Sequence, residues 1–250
     1  MSKLLEKLER VSRDSTQALG FRAATAMTRG PSMVLIAALS QGDAKTATLA
    51  QQSADAVLVS VAKLNGEGLR QIVDSLAEVP WGVSVKEVSA AELSQLREMG
   101  CDFLVFDAAK APLALLREEK MAKIVEIQPS LADGLVRAIE TMPIDAALIG
   151  AEGELSIYQL MTYQHVGNLV RKPLVVSAPI DISNEDLEEL LEVGIAGVVV
   201  KLEREAKGKL SRLRQAIDAL PPSRGRKGKV EPLLPHVGES GIIELEEEEE

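Results

Sequence analysis

Short runs of aliphatic residues alternate with segments of helical periodicity along most of the chain. The helical segments carry leucine or other apolar residues three and four positions apart, which is typical of helices packed on one face. Runs that are aliphatic on both faces are typical of buried parallel strands. Eight such runs predict strands at residues 33–39, 55–61, 81–86, 102–107, 123–128, 145–151, 173–178 and 196–202.

Eight strand and helix units in series predict a fold of the α/β class, a closed (β/α)8 barrel of the TIM-barrel type. Closure of the sheet leaves no exposed strand edge, and a chain of 250 residues has the usual length for one such domain. The alternative is a doubly wound open sheet, which requires that some of the predicted strands are wrong.

Serines and glycines mark the ends of two predicted helices. Ser89 lies three residues before Glu92, and Ser183 lies three residues before an aspartate. At this spacing a serine hydroxyl accepts a hydrogen bond from a free amide of the first helical turn. Gly100 and Gly194 follow the same two helices, where a left-handed residue often ends a helix.

The two ends of the chain lie outside the eight units, so the sequence predicts an extension at 1–30, a barrel at 31–220 and a tail at 221–250. Residues 3–11 are predicted to form an amphipathic helix that covers the bottom of the barrel or packs against a second subunit. The tail is rich in proline, glycine and charge, and its five last residues are glutamates, so we predict disorder. Its apolar segments are candidate docking motifs for a protein partner.

Composition limits the classes of function. The net charge is -10, which repels nucleic acid, and the basic stretch at 223–229 lacks the aromatic residues that stack on bases. No apolar run reaches the roughly 18 residues that span a bilayer, and the N-terminus lacks the apolar stretch of a signal peptide. We therefore expect a cytoplasmic protein with neither nucleic acid nor a membrane as a partner.

The few cysteines and histidines argue against a disulfide framework or a histidine-rich metal site. The chain has one cysteine, Cys101, and two histidines, His165 and His236. Cys101 precedes the fourth strand, so we expect a small buried residue without reactivity. His165 falls in the sixth helix, so we expect a residue of a helix face or an interface.

Strand parity predicts which polar side chains face the barrel interior. In the fifth strand, Val125 and Ile127 must face the helices, because the opposite parity would bury Glu126 and Gln128 beneath them. The same argument for the third, fourth and eighth strands directs these residues inward: Ser84 and Lys86, Val105 and Asp107, and Val199 and Lys201.

The inward polar residues fall at the C-terminal ends of strands, where barrel enzymes have their active sites. We predict Lys86, Asp107 and Glu126 as catalytic residues, since they come from three consecutive strands. The lysine would transfer a proton or form a Schiff base, and the two acids would set its pKa or act as a general base. Alternatively, the three only pair with one another and neutralise the barrel mouth. Gln128 is predicted to contact a substrate.

The segment from 173 to 205 resembles the seventh and eighth strands of the phosphate-binding (β/α)8 barrels. That group includes barrels of histidine and tryptophan biosynthesis, thiamine phosphate synthase and several FMN oxidoreductases, in which glycine amides of two loops surround a phosphate. The matching stretches here are 177–180 and 197–201, where Ala178 resists a positive φ, Pro179 has no amide hydrogen and Lys201 replaces the last glycine. The resemblance implies an altered phosphate site, with an anion held by Ser177 and Lys201.

These observations predict a barrel that binds or acts on a small anionic metabolite, as a lyase or an isomerase. Two alternatives stay open. One is a noncatalytic barrel that recruits a protein partner through its termini, and the other is a flavin-binding oxidoreductase, for which the sequence has no aromatic or glycine-rich signature. The sequence identifies neither a cofactor nor a reaction, and it is compatible with a homo-oligomer.

Overall fold

Eight parallel strands form the centre of the molecule in the computed structural model. The strands are β1 Val34–Ser40, β2 Ala56–Ser60, β3 Trp81–Val85, β4 Phe103–Asp107, β5 Ala122–Ile127, β6 Ala146–Ile149, β7 Leu174–Ala178 and β8 Gly197–Leu202. They pair in sequence order, and β8 pairs with β1, so the sheet closes into a barrel. The predicted (β/α)8 fold is confirmed. The structure describes residues 2–14, 31–40, 44–60, 67–76, 79–150, 155–203 and 207–221.

Helices follow the strands and surround the barrel. The α-helices of the described residues are α1 Lys3–Asp14, α2 Ala44–Ser53, α3 Glu67–Ser75, α4 Ala90–Glu98, α5 Asp133–Thr141, α6 Ile157–Leu169, α7 Asn184–Glu192 and α8 Lys207–Ala219. Between β4 and β5 the helical pattern forms a 3-10 helix, Leu113–Arg117, and no α-helix. Pro112 precedes it, and the backbone of Glu118 returns to an extended conformation, so the segment ends after five residues.

The predicted ends of α4 and α7 are confirmed. Ser89 and Glu92 form a reciprocal capping box, and the Ser183 hydroxyl accepts a hydrogen bond from the amide three residues later at 3.0 Å. Gly100 and Gly194 have φ values of 79° and 83°, a conformation that glycine adopts without steric cost. Local sequence therefore determines where these two helices begin and end.

Strand parity divides the buried residues into two clusters, as predicted. Residues such as Val83, Leu104 and Val125 pack between the strands and the surrounding helices. Alternate residues such as Val105 and Val199 belong to a second cluster inside the barrel. The side chains at every second position of a strand therefore point toward the barrel axis, and the same alternation reaches the residues that line the mouth.

Helix α1 covers the N-terminal end of the barrel. Its apolar residues Leu4, Leu8 and Val11 are buried and join the cluster inside the barrel. Leu8 lies beneath the first residue of β8, since a Cβ atom on Gly197 would come within 3.3 Å of Leu8 Cδ2. Of the two predicted positions for this helix, the structure shows the cap of the barrel.

A carboxylate at the start of β4 anchors the first turn of α1. Asp102 accepts hydrogen bonds from the Ser2 hydroxyl at 2.8 Å, from the Lys3 amide at 2.8 Å and from the Leu4 amide at 2.9 Å. These amides have no partner within their own helix, and the negative charge lies at the positive end of the helix dipole. Asp102 of the barrel thus adds a capping carboxylate to the first turn of a helix that is remote in sequence, beside the local cap formed by the Ser2 hydroxyl and the Leu5 amide.

Several sequence-based expectations concern residues that lie outside the described part of the chain. They include residues 15–30 of the extension and residues 222–250, which hold the basic stretch, the two apolar segments and the acidic end. What the sequence indicates about these residues stays a prediction. Among the described helices, none has both the length and the apolar composition that a membrane span requires.

Candidate functional site

An open pocket of about 710 Å³ occupies the C-terminal mouth of the barrel. Its floor is apolar, since buried side chains of the inner cluster form it: Leu58, Val105, Leu148 and Val199. The wall above the floor is polar. It contains Ser60, Ser84, Glu126, Ser177, Asp181, Lys201, Glu203 and Lys209.

Lys201 reaches the pocket from β8, two residues after the buried Val199 and on the same face of the strand. Its neighbour in register on β1 is Ala38, which also lines the pocket. A methyl group beside the lysine leaves the long side chain uncovered. The inward direction predicted for Lys201 therefore places an exposed cation at the mouth.

Glu126 reaches the same pocket from β5 and is exposed within it. A Cβ atom at Gly150, at the end of β6, would lie 3.6 Å from Glu126 Oε1. The missing side chain at Gly150 therefore leaves the carboxylate open on that side. Its position confirms the predicted inward parity of β5.

Some charged side chains at the mouth form an ion pair, and others have no partner among the described residues. Asp181 and Lys209 lie 3.4 Å apart and form an ion pair between the loop after β7 and the first turn of α8. Neither Lys201 nor Glu126 has a hydrogen bond or an ion pair with any described residue. The two strands thus present an unpaired cation and an unpaired carboxylate to one pocket.

Lys86, Asp107 and Gln128 do not line this pocket. Lys86 and Gln128 are exposed and lie just after the ends of β3 and β5. Asp107 turns toward its own loop, where it accepts a hydrogen bond from the Ala109 amide at 2.9 Å and lies 3.8 Å from the Lys110 ammonium. The structure therefore brings together Glu126, Ser177 and Lys201, and the roles of all six candidates stay predictions.

The stretch that resembles a phosphate site is divided between the two ends of the barrel. Residues 177–181 and Lys201 line the mouth, whereas Gly197 lies at the opposite end, where an added Cβ atom would be 3.0 Å from the Val34 carbonyl oxygen. Among the described glycines, positive φ occurs at Gly100 and Gly194, at the ends of helices. In the described part of the mouth, an anion would meet a hydroxyl and an ammonium without a left-handed glycine beside them.

The sequence analysis named Ser84 as inward-facing but did not propose it as a ligand contact, and it missed Ser60, Asp181, Glu203 and Lys209. Parity within β2 was a usable signal for Ser60, which follows the inward Leu58 by two residues. Asp181 and Lys209 meet only when α8 packs beside α7, so their contact required the tertiary structure.

His165 and the other metal-binding residue types form no metal site in the described residues. His165 Nε2 lies 2.8 Å from Asp133 Oδ1, and both side chains are exposed on neighbouring helices. Within the same ranges, no three side chains of histidine, cysteine, aspartate or glutamate form a group that could hold a metal ion. The predicted helix-face position of His165 is confirmed.

Cys101 is buried, and its thiol donates a hydrogen bond to the Phe103 carbonyl oxygen at 3.3 Å. Burial raises the pKa of the Cys101 thiol from 9.0 to about 12, so the reactive thiolate is scarce at neutral pH. We expect iodoacetamide to leave the folded protein unmodified at pH 8 and to alkylate it fully in denaturant, as read by intact mass. Rapid alkylation of the folded chain would contradict this burial.

The same pKa shift has a defined effect on stability. The unfolded thiol loses its proton near 9.0, whereas the folded thiol keeps it until about 12. The unfolded state therefore binds fewer protons between these values, and the free energy of unfolding decreases as pH rises from about 9 toward 12. Below pH 9 the contribution of this group to stability is constant.

Comparison with known proteins shows the fold of this chain. No family model and no curated protein sequence matches it. A mutant tryptophan synthase α-subunit from Pyrococcus furiosus has a TM-score of 0.59 and 17% identity, over 74% of this chain and 97% of that chain. Tryptophan synthase from M. tuberculosis, in an open form with BRD0059 bound, has a TM-score of 0.64 and 14% identity, over 90% and 100% of the two chains.

A third similar structure is the tryptophan synthase α2β2 complex of Pyrococcus furiosus, with a TM-score of 0.57 and 16% identity over 75% of this chain and 97% of that chain. These likenesses confirm the (β/α)8 fold that the strand and helix pattern predicted, and the altered phosphate site inferred from residues 173–205 stays a prediction. At these identities, the likeness establishes that the chain is a TIM barrel similar to the tryptophan synthase α-subunit.

Proposed function

We propose that this barrel binds a small anionic metabolite in the pocket at its mouth and converts it as a lyase or an isomerase. One observation carries the proposal. Lys201 and Glu126 line the same pocket from β8 and β5, and neither is paired with a described residue. Charged side chains without protein partners at the mouth of a barrel are available to a ligand.

Lys201 supplies the binding energy for the anionic group. Hydrogen bonds between an ammonium and a carboxylate or phosphate are roughly twice as strong as neutral ones, and the Ser177 hydroxyl can add a second donor. The pocket of about 710 Å³ falls within the range of about 300–1,000 Å³ that is typical of small-molecule sites. Its apolar floor would contact the carbon skeleton of the ligand.

Glu126 supplies the proton-transfer group. Lyases and isomerases of small metabolites move a proton to or from carbon, nitrogen or oxygen, and a carboxylate within hydrogen-bond reach can accept that proton. A purely anionic ligand would be repelled by Glu126 and Glu203, so a ligand that also offers a hydroxyl or amine to Glu126 fits better. By analogy, the likeness to subunits of a synthase favours a catalytic barrel over a scaffold.

A thermal-shift screen of the full chain tests the proposal. The panel contains phosphorylated and carboxylate metabolites, and a ligand present at about 100 times its Kd adds about 2.7 kcal/mol to the free energy of unfolding. We expect at least one anion to raise the Tm and the Lys201→Gln variant to lose that shift. Lys120→Gln removes the same charge from an exposed residue outside the pocket, so this control should keep the shift.

Glu126→Gln separates binding from chemistry. For any ligand found in the screen, this variant should retain most of the Tm shift and lose turnover, which mass spectrometry of the incubated ligand measures. A panel in which no anion stabilises the protein would overturn the proposed function. An unchanged shift in Lys201→Gln would place the ligand elsewhere, and binding without turnover by the unsubstituted chain would favour a noncatalytic barrel.

A further inference from the structure

Large apolar side chains are exposed along one arc of the barrel rim. Leu113 is 81% exposed, Leu135 59%, Ile157 78%, Tyr158 73% and Met161 65%. A monomeric surface normally carries such residues singly, whereas a contiguous group marks an interaction surface. These five residues are called the apolar rim below.

The apolar rim lies at the same end of the molecule as the barrel mouth. A helix that follows a parallel strand runs back antiparallel to it, so the first turns of the outer helices lie near the C-terminal ends of the strands. Leu113 begins the 3-10 helix, Leu135 is in the first turn of α5, and the other three residues are in the first two turns of α6. The three segments follow β4, β5 and β6, so they are consecutive around the barrel.

Charge distinguishes α6 from the rest of the outer surface. Residues 155–170, which include the whole of α6, contain no aspartate, glutamate, lysine or arginine. The chain as a whole has a net charge of -10, and the next helix, α7, contains five acidic residues within Asn184–Glu192. The uncharged helix is therefore also the one with the most exposed apolar side chains.

We propose that the apolar rim is the surface through which two copies of this chain associate. In a twofold dimer the same patch faces itself, so any charge on the symmetry axis would face an identical charge. Like charges placed against each other cost several kcal/mol, and two copies that each carry a net charge of -10 repel one another elsewhere. Because α6 has no aspartate, glutamate, lysine or arginine, self-association through this helix places none of its own charges against their copies. The five acidic residues of α7 would repel their copies in the same position.

Sedimentation velocity of the full chain across a range of micromolar concentrations tests the proposal. The expected mass at high concentration is twice the 26.8 kDa of one chain. Met161→Glu and Tyr158→Glu place a carboxylate at the centre of the patch, and each should weaken association by at least about 30-fold, equivalent to about 2 kcal/mol. Both residues are exposed, so circular dichroism should show that the variants keep their fold.

Gln71→Glu is the matched control. It adds the same charge to an exposed residue of α3, which follows β2 on the opposite side of the barrel from β6. This variant should dimerise like the unsubstituted chain. A monomer at every concentration, or a dimer that both rim variants leave intact, would overturn the proposal, as would an assembly larger than two copies.

Discussion

Replacement of Gly82 by alanine is expected to cost at least about 3 kcal/mol of unfolding free energy, the upper end of the range for overpacked cores. Gly82 of β3 lies in register with Phe103 of β4 inside the barrel. An added Cβ atom would lie 2.3 Å from the Phe103 carbonyl oxygen and 2.4 Å from its Cδ2 atom. The ring is fully buried, and the carbonyl oxygen belongs to the barrel wall, so neither can move aside cheaply.

Urea unfolding followed by circular dichroism measures the loss, and the Tm should decrease by roughly 6–12 °C for a domain of this size. Gly68→Ala is the control, because it adds the same methyl group on α3 at a position with nothing within 4 Å. That variant should be as stable as the unsubstituted chain or slightly more so, since alanine favours helix. Equal stability of the two variants would contradict the packing of Phe103 against β3.

Replacement of Leu8 by alanine is expected to cost about 2–5 kcal/mol, as for other fully buried leucines. Leu8 is 0% exposed and packs with α1 into the N-terminal end of the barrel. Truncation leaves a cavity between α1 and the first residues of β1 and β8, where the closed sheet cannot collapse onto the space. The same unfolding experiment measures the effect.

Leu5→Ala supplies the comparison on the same helix. Leu5 is only partly buried beside the inner cluster, so its truncation should cost less than half as much. Because the mouth pocket is at the other end of the barrel, ligand-induced shifts should persist in both variants at temperatures where they stay folded. If Leu5→Ala lost as much stability as Leu8→Ala, the packing of α1 would differ from the structure.

The barrel was predictable because its signals are local. Each aliphatic run is a strand with its own parity, and parity alone directed Glu126 and Lys201 to the interior. The prediction for Lys86 used the same parity beyond the point where it applies, since β3 ends at Val85. Beyond the last hydrogen-bonded residue, the pleat no longer determines the direction of a side chain.

A local hydrogen bond determines the direction of the Asp107 side chain, which strand parity predicted incorrectly as facing the pocket. Asp107 has the inward parity and is in register with Glu126, yet its carboxylate accepts a bond from the amide two residues later. Aspartate commonly forms such a bond at the start of a turn, and it competes with longer-range contacts. Pairing of Asp181 with Lys209 depends on the packing of α8, which no local pattern records.

The contact between Asp102 and α1 determines the order in which the molecule can be assembled. Asp102 lies 98 residues after Leu4, so α1 has no anchor during synthesis until the start of β4 has been made. At a synthesis rate of about 5–20 residues per second, α1 waits several seconds with its apolar face exposed. Helix α1 therefore reaches its final position only after the first half of the barrel is present.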